Sequence, residues 1–323
     1  MNGLEITMFK DKSISVVIPT FNDGLLLKDT LVGIPSYVDT IIVVNDGSEE
    51  ETSNIISECS KNDKRIYCIS HSVNMGLGQS LIDGYLHARK IKSDITAVMA
   101  GDNQMAPNDL ENVIKPIADD KFDYVKGNRL LRDDVSKRMP FYRYVGNSFL
   151  SLLTKIATGY WKLIDPQCGY TAISFKALKI IPIEEMIKGY GYNAHILNML
   201  NLNNFRVLDV EVEPVYGDEK SKIKVVRYAF NVSFLLIRLT IKRLIRKYLI
   251  RDFHPLFLFY LFGFIQIFFI SLPLLIRFVF VYQSTGFLPQ TTLLLLFLSS
   301  SIGSLSCLIG MWLDMEDNKK LQG

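Results

Sequence analysis

Short hydrophobic runs alternate with longer mixed segments from the start of the chain to about Tyr216. The clearest runs, which are rich in β-branched residues, cover positions 14–19, 41–45, 66–70 and 95–100 and predict strands. Each run ends in a loop rich in Asn, Asp or Gly, and segments with helical spacing separate the runs. The alternation predicts an α/β domain with a mostly parallel sheet. Ligands of such sheets bind outside the carboxyl ends of the strands, so these loops are the first candidates for chemistry.

Two long apolar segments lie near the end of the chain. The segment 253–281 is interrupted only by His254, Arg277 and two prolines, and the segment 287–313 contains no charged residue. Each segment exceeds the roughly 20 apolar residues that are needed to cross about 30 Å of hydrocarbon. The pattern predicts two transmembrane helices, and the alternative is a pair of buried helices in a large soluble core.

Basic residues precede the first apolar segment. They are Arg238, Lys242, Arg243, Arg246, Lys247 and Arg251. The connector 282–286 between the apolar segments has no charge, whereas the tail carries Lys319 and Lys320. The positive-inside rule therefore predicts an integral membrane protein with both termini inside and the catalytic domain in the cytoplasm.

A helical wheel sorts positions 241–249 into two faces. The apolar face contains Ile241, Leu244, Ile245, Tyr248 and Leu249, and the polar face contains Lys242, Arg243, Arg246 and Lys247. This pattern is typical of an amphipathic helix at a membrane interface, and the alternative is the solvated face of an ordinary packed helix. The predicted domains are a catalytic domain (1–224), a juxtamembrane segment (225–252), a transmembrane hairpin (253–314) and a cytoplasmic tail (315–323).

Composition narrows the class of function. Of the 323 residues, 49% are hydrophobic, which is enough for a sizeable core. The formal net charge of +3 is small and gives no general basic field, which argues against nucleic acid as a partner. The four cysteines form no C-x-x-C pair and have no histidines at metal spacing, so a zinc site is not expected and a reduced, cytosolic catalytic part fits.

The loops after the first two predicted strands carry carboxylates. The first strand leads into Pro-Thr-Phe-Asn-Asp, which ends at Asp23, and the second leads into Asn-Asp-Gly-Ser, which ends at Ser48. A carboxylate at a strand tip accepts hydrogen bonds from a nucleobase or a ribose hydroxyl, and Gly47 lets the backbone approach closely. Each loop alone also has the composition of an ordinary turn.

The next two loops have the chemistry of diphosphate binding. The segment 74–84 places glycines at the start of a predicted helix, where backbone amides bind phosphate, although a tight turn also accounts for them. It does not fit the G-x-G-x-x-G dinucleotide pattern. Asp102 and Gln104 follow the fourth strand and offer hard oxygen ligands for Mg²⁺ or Mn²⁺. Because one carboxylate is few for a metal, the phosphates of a ligand would have to complete the shell.

In this order, the four loops resemble those of inverting nucleotide-sugar glycosyltransferases with the GT-A fold. The resemblance is strongest to the polyprenyl-phosphate branch, which includes dolichyl-phosphate mannose synthases and bacterial polyprenyl-phosphate glucosyltransferases, and it extends to the paired C-terminal spans. It implies a membrane enzyme that moves a sugar from a UDP- or GDP-linked nucleotide-sugar to polyprenyl phosphate with Mg²⁺ or Mn²⁺. The oligomeric state stays open, and a homo-oligomer is compatible with the resemblance.

The resemblance also assigns residues on the donor side. Those implied in nucleotide-sugar binding are Pro19, Phe21, Asp23, Asp46, Asn74, Gly76, Ala100, Gly101 and Asp102. Asp46 matches the second acid of the family's D-D-G-S, with Asn45 in place of the first. Asp102 matches the second acid of its D-x-D and is implied in metal binding together with Gln104, and Ala100 replaces the first acid.

The remaining assignments concern the reacting phosphates. Arg129 matches the arginine of the family's G-[SN]-R, which meets the donor phosphates, and Asp165 begins a D-x-x-x-G-[FY] motif that lies beside the lipid phosphate. Ser221 and Lys222 match the G-x-S-K loop that closes over the donor and acceptor phosphates. The implied catalytic residues are Asp102, Arg129 and Asp165. Asp165 either orients the acceptor, takes a proton from it, or steadies positive charge on the sugar ring.

Two competing interpretations stay open. A processive polysaccharide synthase shares the chemistry, but neither Trp161 nor Trp312 lies in the Q-x-x-R-W motif of such enzymes. A non-catalytic sugar-nucleotide sensor or membrane scaffold would explain why Ala100 and Asn45 replace acids. The retained catalytic residues argue against it.

Overall fold

The computed structural model describes residues 9–129, 141–189, 191–213 and 225–323, and of 141–149 and 225–230 it describes only the backbone. The chain divides into two compact units. The first extends to Leu239 and includes Lys320–Gly323, and the second is Thr240–Lys319. The division therefore falls inside the predicted juxtamembrane segment. The predicted phosphate-binding Ser221 and Lys222 lie outside the described residues.

Within the described residues, the centre of the first unit is a seven-stranded sheet. Its strands are β1 (Ile14–Thr20), β2 (Thr40–Asn45), β3 (Ile66–Ser70), β4 (Ile95–Val98), β5 (Tyr124–Asn128), β6 (Thr171–Ser174) and β7 (Val207–Glu211). Their order is β3-β2-β1-β4-β6-β5-β7. The pairs β1–β2, β1–β4, β2–β3 and β5–β7 are parallel, whereas β6 runs antiparallel to β4 and β5. The predicted mostly parallel α/β domain is confirmed.

Helices cover both faces of this sheet. Those that pack on the sheet are α1 (Gly24–Gly33), α2 (Glu50–Asn62), α3 (Leu77–Lys90), α4 (Leu110–Ala118), α6 (Phe175–Ile180) and α7 (Tyr192–Leu202). Two further helices, α5 (Phe141–Thr158) and α8 (Val225–Arg243), pack with α7 in a separate apolar cluster. Val16 and Ile18 of β1 pack with α1, α2 and α4, whereas Val17 between them packs with α3, α6 and α7. Because alternate side chains point to opposite, equally buried faces, the strand is an unbroken apolar run in the sequence.

The second unit is helical. A π-helical stretch at Leu244–Arg251 precedes α9 (Pro255–Ile265), a second π-helical stretch at Gln266–Ser271, α10 (Leu272–Thr285) and α11 (Gln290–Asp317). The helices Pro255–Thr285 and Gln290–Asp317, with mean hydropathies of 2.3 and 2.0, are long and apolar enough to cross a membrane. Only 6% and 22% of the residues in their most apolar windows are buried, whereas a core helix of a soluble protein would be mostly buried. The two predicted apolar helices are confirmed.

Glycines let α9 and α11 approach each other closely. A Cβ atom at Gly263 would lie 2.5 Å from Cys307 Sγ, and one at Gly310 would lie 3.3 Å from the ring of Tyr260. A larger side chain at either position would push the two helices apart. Small residues at helix contacts are the usual solution where lipid removes the hydrophobic driving force between helices.

The structure corrects the predicted amphipathic helix. Arg243 and Lys247, assigned to its polar face, are both buried. Arg243 donates from both terminal nitrogens to the Asp314 carboxylate at 2.7 Å each, and Lys247 donates to Asn318 Oδ1 at 2.7 Å. Tyr248, assigned to the apolar face, donates to Asp314 at 2.8 Å. A helical wheel records polarity but not partners that lie 71 positions further along the chain, so the prediction for these side chains was wrong.

The exposed face of the same segment is apolar with flanking cations. Ile241, Ile245 and Ile250 are 52%, 37% and 73% exposed, and Arg246 is exposed beside them. The segment is therefore amphipathic, but the isoleucines face outward and two of the cations face inward. Exposed isoleucines beside cations are the composition of a helix that lies in a membrane interface.

Candidate active site

The topology gathers the predicted site residues at one edge of the sheet. The loops after β1, β2, β3 and β4 meet there because those strands are parallel. β6 runs antiparallel to β4, with Thr171 opposite Val98, so the segment that enters β6 lies beside the segment that leaves β4. β5 is also antiparallel to β6, which brings Arg129, just after its end, to the same edge. Asp165 and Arg129 thus lie at the same edge of the sheet as the loops after β1 to β4.

Asp23 lies in the loop after β1 and packs against the loop after β4. Its Oδ2 accepts hydrogen bonds from Thr20 Oγ1 at 2.7 Å and from the backbone N–H of Phe21 at 3.3 Å. A Cβ atom at Gly101 would lie 2.5 Å from the same oxygen, so a side chain there would displace the carboxylate. The ring of Phe21 is 47% exposed and is accessible for stacking on a planar base.

Asn45, which stands where the family usually has an acid, builds the turn after β2. Its Oδ1 accepts a hydrogen bond from the backbone N–H of Ser48 at 3.0 Å, and its Nδ2 donates to Ser53 Oγ at 3.1 Å. A carboxylate could accept the first bond but could not donate the second. The Asn45 amide therefore bonds both to the turn after β2 and to the first turns of α2.

Asp46 joins the loop after β2 to the loop after β3. The buried carboxylate accepts hydrogen bonds from His71 Nδ1 at 2.7 Å, from the backbone N–H of Met75 at 2.8 Å and from that of Gly76 at 2.8 Å. Burial alone would raise the pKa of Asp46, but these donors outweigh it and hold the pKa below its usual value. The predicted Gly76, at φ +92°, begins α3, and the predicted Asn74 lies exposed just before it.

Asp102 and Gln104 lie in the loop after β4, where Asp102 Oδ1 accepts a hydrogen bond from the backbone N–H of Gln104 at 3.1 Å. Both side chains are partly exposed. In the described part of the chain, no group of three or more His, Cys, Asp and Glu residues could hold a metal ion. One carboxylate and one amide fit Mg²⁺ or Mn²⁺ where ligand phosphates complete the shell, which is how proteins commonly bind Mg²⁺.

Arg129 and Asp165, assigned by sequence to the donor and the acceptor, contact each other. Arg129 Nε donates to Asp165 Oδ2 at 2.9 Å and its Nη2 donates to Oδ1 at 3.4 Å. The carboxylate is nearly buried, whereas the arginine side chain is 46% exposed. Burial alone would raise the pKa of Asp165, but the hydrogen bond and charge of Arg129 hold it below its usual value. The pair presents an ionised carboxylate beneath an accessible guanidinium.

The acceptor motif packs on the loop that carries Asp102. Tyr170 donates from its hydroxyl to the backbone carbonyl of Ala106 at 3.1 Å. A Cβ atom at Gly169 would lie 3.2 Å from Met105 Cε. The backbone N–H of Ala100, the residue in place of the first acid of D-x-D, donates to Met105 Sδ at 3.2 Å. Met105 therefore links the metal loop to the acceptor motif.

Two polar residues near the segment 165–170, Lys126 and Asp209, were given no role by sequence reasoning. Lys126 is fully buried, which lowers its pKa, and it donates to the carbonyl of Cys168. Asp209 Oδ2 accepts hydrogen bonds from the backbone N–H of Ile164 at 2.7 Å and from Asn128 Nδ2 at 3.1 Å. Burial raises the pKa of Asp209 to about 6. Lys126 follows Tyr124 and Val125, and a lysine after such strand-forming residues could have been noticed in the sequence. Asp209 lies in no motif.

A mixed sheet with the loops of Asp23, Asp46, Asp102 and Asp165 at one edge is the arrangement of a glycosyltransferase of the GT-A class. The profile of glycosyl transferase family 2 matches residues 15–181, and the chain belongs to this family. Glucosyl-3-phosphoglycerate synthase from Mycobacterium tuberculosis, solved with Mn²⁺, UDP and glucosyl-3-phosphoglycerate, has the same fold. It aligns with a TM-score of 0.55 at 17% identity, over 72% of this chain and 80% of that one.

Relatives of this chain carry names of sugar transferases to polyprenyl phosphates. A UDP-N-acetylglucosamine–dolichyl-phosphate N-acetylglucosaminyltransferase of Methanococcus voltae is 30% identical, over 64% of this chain and 88% of its own. A dolichyl-phosphate beta-glucosyltransferase of Trichomonas vaginalis is 25% identical, over 74% and 76%. An undecaprenyl-phosphate mannosyltransferase of Micrococcus luteus is 24% identical, over 63% and 85%.

Proposed function

We propose that this protein transfers a sugar from a UDP- or GDP-linked donor to a polyprenyl phosphate, with inversion at the anomeric carbon. The observation that carries the proposal is the Arg129–Asp165 pair, an accessible cation on an ionised carboxylate, and Asp165 begins the motif whose Tyr170 packs on the loop of Asp102. Relatives named for dolichyl or undecaprenyl phosphate support the acceptor class.

On the donor side, the residues divide between ligand contact and loop support. Phe21 offers an exposed ring for the base, and Asn74, in the loop before α3, offers an exposed side-chain amide for the phosphates. The backbone N–H groups of Met75 and Gly76 are bonded to Asp46, and that of Gly78 is bonded to the carbonyl of Lys188. Asp46 already accepts three hydrogen bonds from the protein. We therefore assign Asp46 to holding that loop.

The reaction depends on position and on the handling of charge. A phosphate nucleophile is already anionic, so a strong base is not required once it lies in line with the anomeric carbon. Two phosphorylated groups must approach while a nucleoside diphosphate leaves, so cations have the largest effect. Arg129 supplies one cation, and the predicted Lys222 would add another. A divalent ion held by Asp102 and Gln104 would neutralise charge on the departing diphosphate.

The charge state of Asp165 favours two of its three candidate roles. Because its pKa lies below the usual value, the carboxyl is ionised at neutral pH and is a weak proton acceptor. An ionised carboxylate can orient the acceptor through Arg129, and it can stabilise positive charge that develops on the sugar ring. Proton transfer from the acceptor is the role that this environment supports least.

For the helical unit, we propose that its two apolar helices span the membrane and that the catalytic domain is cytoplasmic. Arg246 and Arg251 precede the first helix, Lys319 and Lys320 follow the second, and the connector between them is uncharged. The outward isoleucines of 241–250 would lie in the interface, at the depth of a polyprenyl phosphate head group.

A donor and acceptor panel tests the proposal. Purified full-length protein is given polyprenyl phosphate with each of several UDP- and GDP-sugars, and lipid products are identified by mass spectrometry. One donor is expected to yield a polyprenyl-phosphate-linked sugar. Chelation, or Asp102→Ala, is expected to abolish transfer, because Asp102 is the carboxylate matched to the metal position. Folded protein that forms no lipid-linked sugar from any donor would contradict the proposal. Activity that survives chelation would show that transfer does not need a divalent metal ion.

A further inference from the structure

A histidine that no motif singled out lies between the donor loops. His71 follows β3, and its backbone N–H donates to the carbonyl of Asn45 at 2.9 Å. Its Nδ1 lies 2.7 Å from Asp46 Oδ1, and its Nε2 lies 3.0 Å from Asp83 Oδ2 in α3. The side chain is only 7% exposed. The ring therefore links Asp46, in the loop after β2, to Asp83 in α3.

The two contacts constrain the chemistry of the ring. A neutral imidazole has one donor and one acceptor nitrogen, so one of two flanking carboxylates would face a lone pair. Each ring nitrogen lies within hydrogen-bond distance of a carboxylate, so the ring is held from both sides. Gln79 Nε2 also donates to Asp83 Oδ2, at 3.0 Å, which holds that carboxylate in place.

The contact at Asp46 reaches the predicted phosphate loop directly. Asp46 Oδ1, which His71 contacts, also accepts the backbone N–H of Met75, and Asp46 Oδ2 accepts the backbone N–H of Gly76. Next to Asp46, a Cβ atom at Gly47 would lie 2.6 Å from the backbone carbon of Val73, so the two loops are in close contact. A change in the orientation of Asp46 would therefore move the loop.

We propose that His71 is a positioning residue for the donor, acting through Asp46 to hold the 73–76 loop in the conformation that binds a nucleoside diphosphate. The inference rests on the proposed function, since it assigns the loop to the donor phosphates. It differs from a purely structural role because the expected defect is confined to donor affinity. The acceptor pair is held by other strands and should be unaffected.

Steady-state kinetics of His71→Ala in the full-length protein test this inference. The donor KM, and the Kd for UDP or GDP alone, are expected to rise about tenfold or more, because the buried Asp46 carboxylate loses its contact with the ring. The kcat at saturating donor and the KM for polyprenyl phosphate should change by less than about threefold. Asp83→Asn should change the same constants in the same direction, but less. The matched control is His87→Ala, which removes a histidine of α3 whose ring stacks on Tyr67 of β3.

The outcomes distinguish a failure of the positioning role of His71 from a failure of the proposed function. A donor KM that stays within about twofold of the parent in both His71→Ala and Asp83→Asn overturns the positioning role. A fall in kcat and acceptor affinity together with the melting temperature also overturns it, in favour of a general structural role. If His71→Ala is too unstable for kinetics, the partly exposed Asp83→Asn decides alone. A parent protein that transfers no sugar refutes the proposed function instead.

Discussion

The two units use the same arginine–aspartate chemistry in different ways. In the helical unit, Arg243 binds Asp314 through two bonds of 2.7 Å, and neither side chain is exposed. At the sheet edge, Arg129 binds Asp165 through bonds of 2.9 and 3.4 Å, and the arginine side chain is 46% exposed. A ligand can reach the second guanidinium but not the first. The comparison predicts that Arg129, unlike Arg243, is available to a ligand, and that its place at the sheet edge decides whether it binds one.

The cost of burial explains why the first pair needs more support. Moving both charges out of water is expensive, and their attraction offsets that cost only where the remaining polar groups are also bonded. Tyr248 and Asn318 both donate to Asp314 Oδ1, each at 2.8 Å. Such a network fixes one arrangement of the helices. The pair at the sheet edge stays partly hydrated and can exchange water for phosphate oxygens.

Removing one partner of the buried pair should have the largest effect, and the effect should be on stability. Arg243→Met leaves the Asp314 carboxylate buried without its cation, which costs about 3–5 kcal/mol. We expect a clearly lower temperature of thermal inactivation in detergent, with unchanged kcat for the protein that remains folded. The double variant Arg243→Met/Asp314→Leu should recover much of the loss because it removes both charges. A single variant as stable as the parent would mean that the pair is not desolvated.

The corresponding change at the sheet edge should affect the reaction. Asp165→Asn keeps the shape and removes the charge, so the transfer rate should fall about a hundredfold, or about 2.7 kcal/mol, while donor binding stays nearly the same. Titration with nucleotide-sugar followed by single-turnover transfer separates the two constants. Lost donor affinity with intact transfer would move Asp165 to the donor site, and no effect on either would reduce it to a loop residue.

Both pairs also show what the sequence could and could not predict. β1, β2 and β4 were predictable because they are apolar on both faces, and β3 was predicted from its β-branched run, whereas β5, β6 and β7 were not predicted. The positions of the loops after the first four strands followed from those strands, and their donor role stays a prediction. The Arg129–Asp165 contact depends on the antiparallel insertion of β6, which no local pattern indicates. The buried Arg243 looked solvated because its partner lies 71 positions away. Ser221 and Lys222 remain predictions.

A milder change at Arg129 sharpens the comparison. Arg129→Lys keeps the charge but loses the two-nitrogen contact with Asp165, so transfer should slow about tenfold, or about 1.4 kcal/mol. The matched control is Arg206→Lys at the other end of β5, because Arg206 is 43% exposed and pairs with the nearly buried Asp123. The control should keep its activity. Equal losses in both variants would show that the effect of Arg129→Lys is not specific to the candidate site.

The smallest effect should come from Asp209, the acid under the acceptor motif. Burial raises its pKa from 3.8 to about 6, so the folded state holds this proton more tightly than the unfolded state does. The contribution of Asp209 to stability is therefore present below about pH 4 and is lost as the pH rises to about 6.

Both of its described hydrogen bonds end on Oδ2, so the single oxygen of an asparagine can accept them. Asp209→Asn does not titrate and should be more stable than the parent by about 1 kcal/mol at pH 7.5, after allowance for partial exposure, and by less at pH 5. Melting temperatures of the two proteins at both pH values measure this difference in stability. A difference that is larger at pH 5 than at pH 7.5 would contradict a raised pKa of Asp209.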